Sequence, residues 1–278
     1  MYAPLFAVLT THPQPQSITA RLLDRLFPRA PGAEFKTAFE TEYAVISVPM
    51  PLRRRRWKAI EKTALQFDDG IILPVGLELP PYVKIALCTP STQFIAEVCI
   101  NTVSRLISKS KIPKAERTVG LIDLKANHRP MVLILLKEAS SVVVLTDEPE
   151  QYEEFSEQVF ESFGAPVLIA DRGSSLSGCK IVAAPDKISQ ELCQKSLPAV
   201  VAAFGPPAKP RFPLLCSLEL ELTEELRGMV PKEINPITFF GALFEKCDSG
   251  SPGEIYASNG RINSAVTDIY SFARSFIK

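Results

Sequence analysis

The chain has 278 residues, 46% of them hydrophobic, which is enough to bury a large core and to divide into two domains. Its 31 basic and 31 acidic residues cancel, so no field over the whole molecule favours nucleic acid or an anionic membrane, and neither is expected as a partner. No apolar run approaches ~18 residues and the N-terminal one lacks a basic flank, so neither a membrane span nor a signal peptide is expected.

Leu5 to Leu9 reads as a strand, followed by Thr10, Thr11 and His12 and a proline-marked turn. Ser17 to Leu26 then has Ile18, Leu22, Leu23 and Leu26 on one helical face. Tyr43 to Val48 is a second strand, Trp57 to Phe67 a helix and Ile71 to Val75 a third strand. That alternation predicts a small α/β domain. The run Arg53 to Arg56 opens the Trp57 helix; a solvated face and a phosphate site are its two readings. Ser91 to Ile112 is the longest helical pattern, capped by Ser91 or Thr92, and is expected to connect the domains. The first domain is therefore drawn over 1–112, a second over 113–215 and a C-terminal segment over 216–278.

After a charged linker, Lys109 to Arg117, the run Thr118 to Leu124 has the composition of a strand buried on both faces. A helix follows, with Asn127 as N-cap, Pro130 in its first turn and Met131 to Glu138 continuing it. Val142 to Leu145 is the next strand, ending at Thr146 and Asp147. The following helix starts at Pro149 and carries Tyr152, Phe155, Val159, Phe160 and Phe163 at helical spacing up to Gly164. Val167 to Ala170 and Lys180 to Ala184 are further strands. Their link, Asp171 to Cys179, is too short for a full helix. Extended, it reaches about 30 Å, against roughly 14 Å for the three strand spacings of a 3-2-1-4 order. A helix from about Ser189 to Lys195 leads to a fifth strand, Ala199 to Phe204. Strands alternating with crossover helices require a parallel sheet, so the fold class is α/β, two domains, the second Rossmann-like with helices on both faces.

The runs VGLIDL, VVVLTD, KIVAAPD and AVVAAFGP resemble the nucleotide-binding domain of the shikimate dehydrogenase and glutamyl-tRNA reductase group. In that group the fourth strand ends in a small residue with Thr or Pro, as at Ala184 and Pro185, and the fifth ends near Gly or Pro, as at Gly205 and Pro206. The resemblance implies NAD or NADP as cofactor. The chain departs from it where the group has G-x-G-x-x-G: here stand Asp123, Leu124, Lys125, Ala126, Asn127 and His128. No glycine lets the backbone close on a pyrophosphate, and an aspartate is placed to repel one. The group's lysine and aspartate pair, or its cysteine, finds no matching motif.

Gly205 to Pro213 is too proline-rich to be regular, and Leu218, Leu220 and Leu222 alternate with glutamates as a strand with one wet face. Thr223 caps a short helix, Asp248 to Gly260 is a loop, and Ile262 to Ile277 is a final amphipathic helix expected, by analogy with the resembled group, to return to the first domain.

Ligands of open parallel sheets bind beyond the carboxyl ends of the strands. That rule selects Asp123 to Arg129, Asp147, Asp171, Arg172, Pro185, Asp186 and Gly205, of which Asp123, Asn127, His128, Arg129, Asp147, Pro185 and Gly205 are the candidate cofactor-binding residues. Asn127, His128 and Arg129 can hold an anion at a helix start or merely cap it. Asp147 stands where a ribose-binding acid would, or caps the Pro149 helix. His12 is the one candidate for acid–base work. Two histidines and six cysteines (Cys88, Cys99, Cys179, Cys193, Cys216 and Cys247) show no metal-ligand spacing, and reduced core thiols point to the cytoplasm. The leading expectation is a small-ligand-binding or regulatory protein with its ligand in an interdomain cleft. The alternatives are an NAD(P)-dependent oxidoreductase of shikimate dehydrogenase-like type and a structural or partner-binding protein. A second copy of the chain is a further candidate partner.

Overall fold

The computed structural model describes residues 6–13, 32–39, 41–170, 176–246 and 255–277. The helix expected over Ser17 to Leu26 lies outside the described residues, as do Leu5, Asp171, Arg172, Cys247 and the first part of the loop expected from Asp248. The chain forms two compact units, 1–94 with 222–253, and 95–221 with 254–278.

The first unit is built on β1 (Phe6–His12), β2 (Ala33–Ala38), β3 (Thr41–Pro49) and β4 (Ile71–Ile72), in the order β2-β3-β1-β4. β1 runs parallel to β3 and β4, and β2 is an antiparallel edge. Because successive side chains point to opposite faces, Ala7, Leu9, Ala44 and Ile46 share one face, where Trp57, Ile60 and Ala64 of the helix Arg54–Ala64 close the core. On the other face the Phe6 ring stacks on Tyr43, centroids 5.7 Å apart, and both meet the edge of Phe239. Phe239 belongs to the helix Pro236–Lys246, which the sequence reading did not anticipate. It also missed β2, whose AEFKTA is mostly exposed and carries no apolar alternation. The arginine run forms the first turn of its helix: Arg56 donates to the carbonyls of Pro49 and Pro51, and the Arg54 guanidinium lies over the Tyr82 ring.

The second unit holds β5 (Thr118–Ile122), β6 (Ser141–Leu145), β7 (Val167–Ala170), β8 (Ile181–Ala184), β9 (Val200–Ala202), β10 (Leu214–Leu220), β11 (Ala257–Ile262) and β12 (Ala265–Asp268). Their order is β12-β11-β10-β9-β8-β5-β6-β7, and every pair from β10 to β7 is parallel. Numbered from β5, this is 3-2-1-4-5-6, the doubly wound order of the dinucleotide-binding fold. The second unit is a Rossmann-like domain. The strand with one wet face is its sixth, β10, whose far end turns to pair antiparallel with β11.

Three expectations are corrected. The long helix is Thr92–Lys109, with Ser91 Oγ accepting from the Phe94 N–H. Beyond its first turn it belongs to the second unit, where Asn101 donates to the Ile255 carbonyl and Thr102 Oγ1 accepts from the Ala257 N–H. The final helix is only Ile269–Phe276, and residues 257–268 form the hairpin β11–β12 instead of loop and helix. Asn263 and Ser264, both at positive φ, close that hairpin as a two-residue turn of the kind right-twisted strands require. The helix packs on β11 and β12, so the stretch grouped with the first unit is 222–253 and not the last helix. Among the described residues no helix is long and apolar enough to cross a membrane.

Two stability tests follow from this packing. Ser264→Gly removes the strain of a side chain at φ 73° and should raise stability by about 0.5–1 kcal/mol in urea denaturation. Gly120→Val should lower it by about 1–3 kcal/mol, because even a Cβ at Gly120 would lie 2.9 Å from Val182 Cγ2 on the neighbouring strand.

Candidate functional site

The strand order reverses between β5 and β8, where the crossovers leave the sheet on opposite faces and open a crevice at the strands' carboxyl ends. Asp123 lies one residue beyond β5, and Asp186 two beyond β8. Asp123 is fully buried. Its Oδ1 accepts the Asn127 N–H at 2.9 Å, and its Oδ2 accepts the His128 N–H at 2.8 Å and the Tyr152 hydroxyl at 2.6 Å. Its main-chain carbonyl accepts the Ala126 N–H, and Ala126 takes the left-handed backbone conformation, φ 53°. The turn after β5 thus keeps a glycine-like bend, but its amides close on the protein's own carboxylate.

That arrangement alters the roles expected of this turn. Asn127 does not cap a helix: it is exposed, its N–H is held by Asp123, and His128 occupies the N-cap position of the short 3-10 turn Arg129–Met131. His128 is buried, 5% exposed. Among the described residues neither of its ring nitrogens makes a hydrogen bond, and Nε2 lies 3.4 Å from Asp186 Oδ1. Unpaired buried polar atoms cost about 1–3 kcal/mol each, so the position of this imidazole is not explained by packing alone. Arg129, half-buried, donates to the Gln151 carbonyl at 2.9 Å. Tyr152, read from sequence only as part of an apolar stripe, is fully buried, and its hydroxyl is the third donor to Asp123. Burial pushes the Tyr152 phenol above its ordinary value of 10.0, and the Asp123 hydrogen bond and charge act in the same direction.

The remaining candidates line the same edge of the sheet. Asp147 is exposed just past β6, where Thr146 Oγ1 accepts from the Glu148 N–H. Pro185 is buried directly after β8. Gly205 is exposed after β9, and a Cβ there would meet nothing within 4 Å. Asp123, His128 and Asp186 form one cluster, with a ligand atom from each lying within 4.8 Å of the others. The sequence reading found no metal spacing because the two carboxylates come from different strands. The Cys99 and Cys179 thiols are unsuited to nucleophilic work: burial pushes Cys99 up to about 12 and Cys179 up to about 11.

His12 belongs to the first unit, exposed at the carboxyl end of β1, with Nδ1 3.1 Å from the Pro13 carbonyl. Beside it, the Glu233 carboxylate accepts both the Thr11 N–H and the Thr11 hydroxyl, at 3.1 and 2.7 Å. Thr11, Met50, Gly76, Leu77, Lys232 and Glu233 line an open cleft of about 360 Å³ within this unit.

No protein-family model matches the chain, and no curated protein matches it. Among solved structures it is similar to L-tryptophan dehydrogenase from Nostoc punctiforme, at 14% identity over 90% of this chain and 76% of that one, with a TM-score of 0.35. It is similar to the shikimate dehydrogenase of Mycobacterium tuberculosis at 10% identity over 90% of this chain and 96% of that one, with a TM-score of 0.33. A third, lysine cyclodeaminase, is 14% identical with a TM-score of 0.29, and the chain spans 37% of its length. The Rossmann-like assignment rests on the strand order and register, not on these likenesses.

Replacing Tyr152 by Phe leaves the buried Asp123 carboxylate one donor short and should cost about 1–3 kcal/mol in urea denaturation. Because the folded phenol is raised above its unfolded value of 10.0, the unfolded state loses this proton first. The stability associated with Tyr152 is therefore fully present below pH 10 and declines as pH rises beyond it. In Tyr152→Phe this part of the alkaline decline should vanish from the pH dependence of unfolding.

Proposed function

We propose that this protein binds a small ligand other than a dinucleotide at the carboxyl edge of its Rossmann-like sheet, as a binding or regulatory module. The observation that carries the reading is the Asp123 carboxylate. In ordinary dinucleotide binding a pyrophosphate accepts the amides of the first strand-to-helix turn. Here two amides of that turn are taken by a buried anion of the chain itself. A phosphate at the same place would have to displace it and face its charge.

A second reading is an oxidoreductase using NAD or NADP, of shikimate dehydrogenase-like type. One observation favours it: Asp147, exposed just past the second strand of the doubly wound order, stands where such domains carry a ribose-binding acid. A dinucleotide held there would have to seat its pyrophosphate elsewhere.

Thermal unfolding with saturating nucleotide separates the two. A ligand at 100 times its dissociation constant stabilises by about 2.7 kcal/mol, a shift of several degrees for a domain of this size. The expected result is an unchanged melting temperature with millimolar NAD, NADH, NADP or NADPH. A rise of several degrees with any of them overturns the first reading, and loss of that rise in Asp147→Ala would favour the second.

A further inference from the structure

We propose that Asp123, His128 and Asp186 form a binding site for a divalent transition-metal ion at the switch point of the Rossmann-like sheet. The proposal deepens the reading of this crevice as a site for a ligand other than a dinucleotide, and rests on it. Three observations carry the inference.

The first is the donor set. One imidazole and two carboxylates each offer an atom, all within 4.8 Å of one another. Bonds of ~2.0–2.2 Å, as zinc makes to imidazole and carboxylate, need donors about 3–4 Å apart, so shifts of roughly an ångström among the three side chains would close the shell. A single imidazole with carboxylate oxygens suits zinc and its first-row neighbours better than calcium or magnesium, which take oxygen alone.

The second is the state of His128. The ring is 5% exposed and, among the described residues, neither nitrogen makes a hydrogen bond, while Nε2 faces Asp186 Oδ1 at 3.4 Å. A buried imidazole is ordinarily held by donors or acceptors on both nitrogens. This one makes no hydrogen bond among the described residues and faces the Asp186 carboxylate at 3.4 Å, as a metal ligand does before the ion arrives.

The third is the way Asp123 is held. The Asn127 and His128 amides and the Tyr152 hydroxyl donate to the carboxylate and fix its position and orientation. Such outer hydrogen bonds orient metal ligands and tune them. Oδ1 accepts only the Asn127 N–H among these bonds and keeps a lone pair for an ion. Asp186, with a side chain 41% exposed, closes the site toward solvent. Three protein ligands leave a coordination position for water or a substrate, the arrangement of open rather than structural sites.

The test uses the full chain, stripped with a chelator and then titrated with Zn²⁺ by calorimetry, with metal content counted after dialysis. One ion per chain is expected. Asp186→Asn and His128→Gln should each weaken binding at least tenfold. Asp186 is the safer substitution, because its side chain is partly exposed and the metal-free melting temperature should stay at the parent value. Co²⁺ in place of Zn²⁺ should give visible absorption bands that vanish in both variants. No ion bound at stoichiometry overturns the proposal, and so does binding undiminished in Asp186→Asn, which would send the zinc to thiols. Nucleotide is absent throughout, so failure to bind zinc leaves the non-dinucleotide reading standing, whereas a melting shift with NAD or NADP would remove that reading whatever zinc does.

Discussion

A carboxylate buried in a protein interior must find donors, and in this protein the donors that Asp123 finds determine what the end of the sheet can do. Burying an uncompensated anion is far costlier than any single hydrogen bond returns. Asp123 therefore stays buried only because Asn127, His128 and Tyr152 all donate to it. The turn, the first residues of the following helix and the next crossover helix are tied to one side chain. In a dinucleotide-binding turn the corresponding amides wait for a phosphate, and glycines let it approach. Here the anion is built in, and the glycines have no remaining purpose.

The sheet does not depend on that exchange. β5, β6, β8 and β9 are runs of Val, Ile, Leu and Ala whose residues are nearly all buried, and their pairing is set by main-chain bonds and apolar packing on both faces. Gly120 shows how close that packing is, since its missing Cβ makes room for Val182 on the next strand. A glycine retained for strand contact lies only three residues from a turn that carries none. The two positions answer to different constraints, one to the neighbouring strand and the other to a ligand.

Placing two acids and an imidazole at the same strand ends changes the character of the crevice. A helix start with free N–H groups attracts anions, but these amides face Asp123, and the groups beyond them are His128 and Asp186. Two carboxylates and an imidazole therefore share these strand ends. A pyrophosphate at this place would meet the Asp123 carboxylate where it ordinarily meets free amides.

Much of the architecture is legible in the order of residues. Apolar β-branched runs separated by helices with a proline start or a glycine stop imply parallel strands, and β5 to β9 fall within a few residues of where that pattern puts them. The reading fails where local pattern is weak: β2 is a polar edge, and the β11–β12 hairpin is closed by Asn263 and Ser264 in place of an Asn-Gly pair. Asp123, His128, Arg129 and Asp147 are found from sequence because strand ends are where ligands of such sheets sit. Asp186 is found by the same rule, but neither its contact with His128 nor the role of Tyr152 is. Tyr152 has the spacing of a core residue on its helix, and only the crossover of that helix brings its hydroxyl to Asp123. Asp186 reaches His128 only because β8 pairs with β5. Hydrophobic periodicity is a property of neighbours along the chain, so the elements can be read from it. A hydrogen bond between residues on separate strands and helices depends on register and packing, and for those the folded molecule was required.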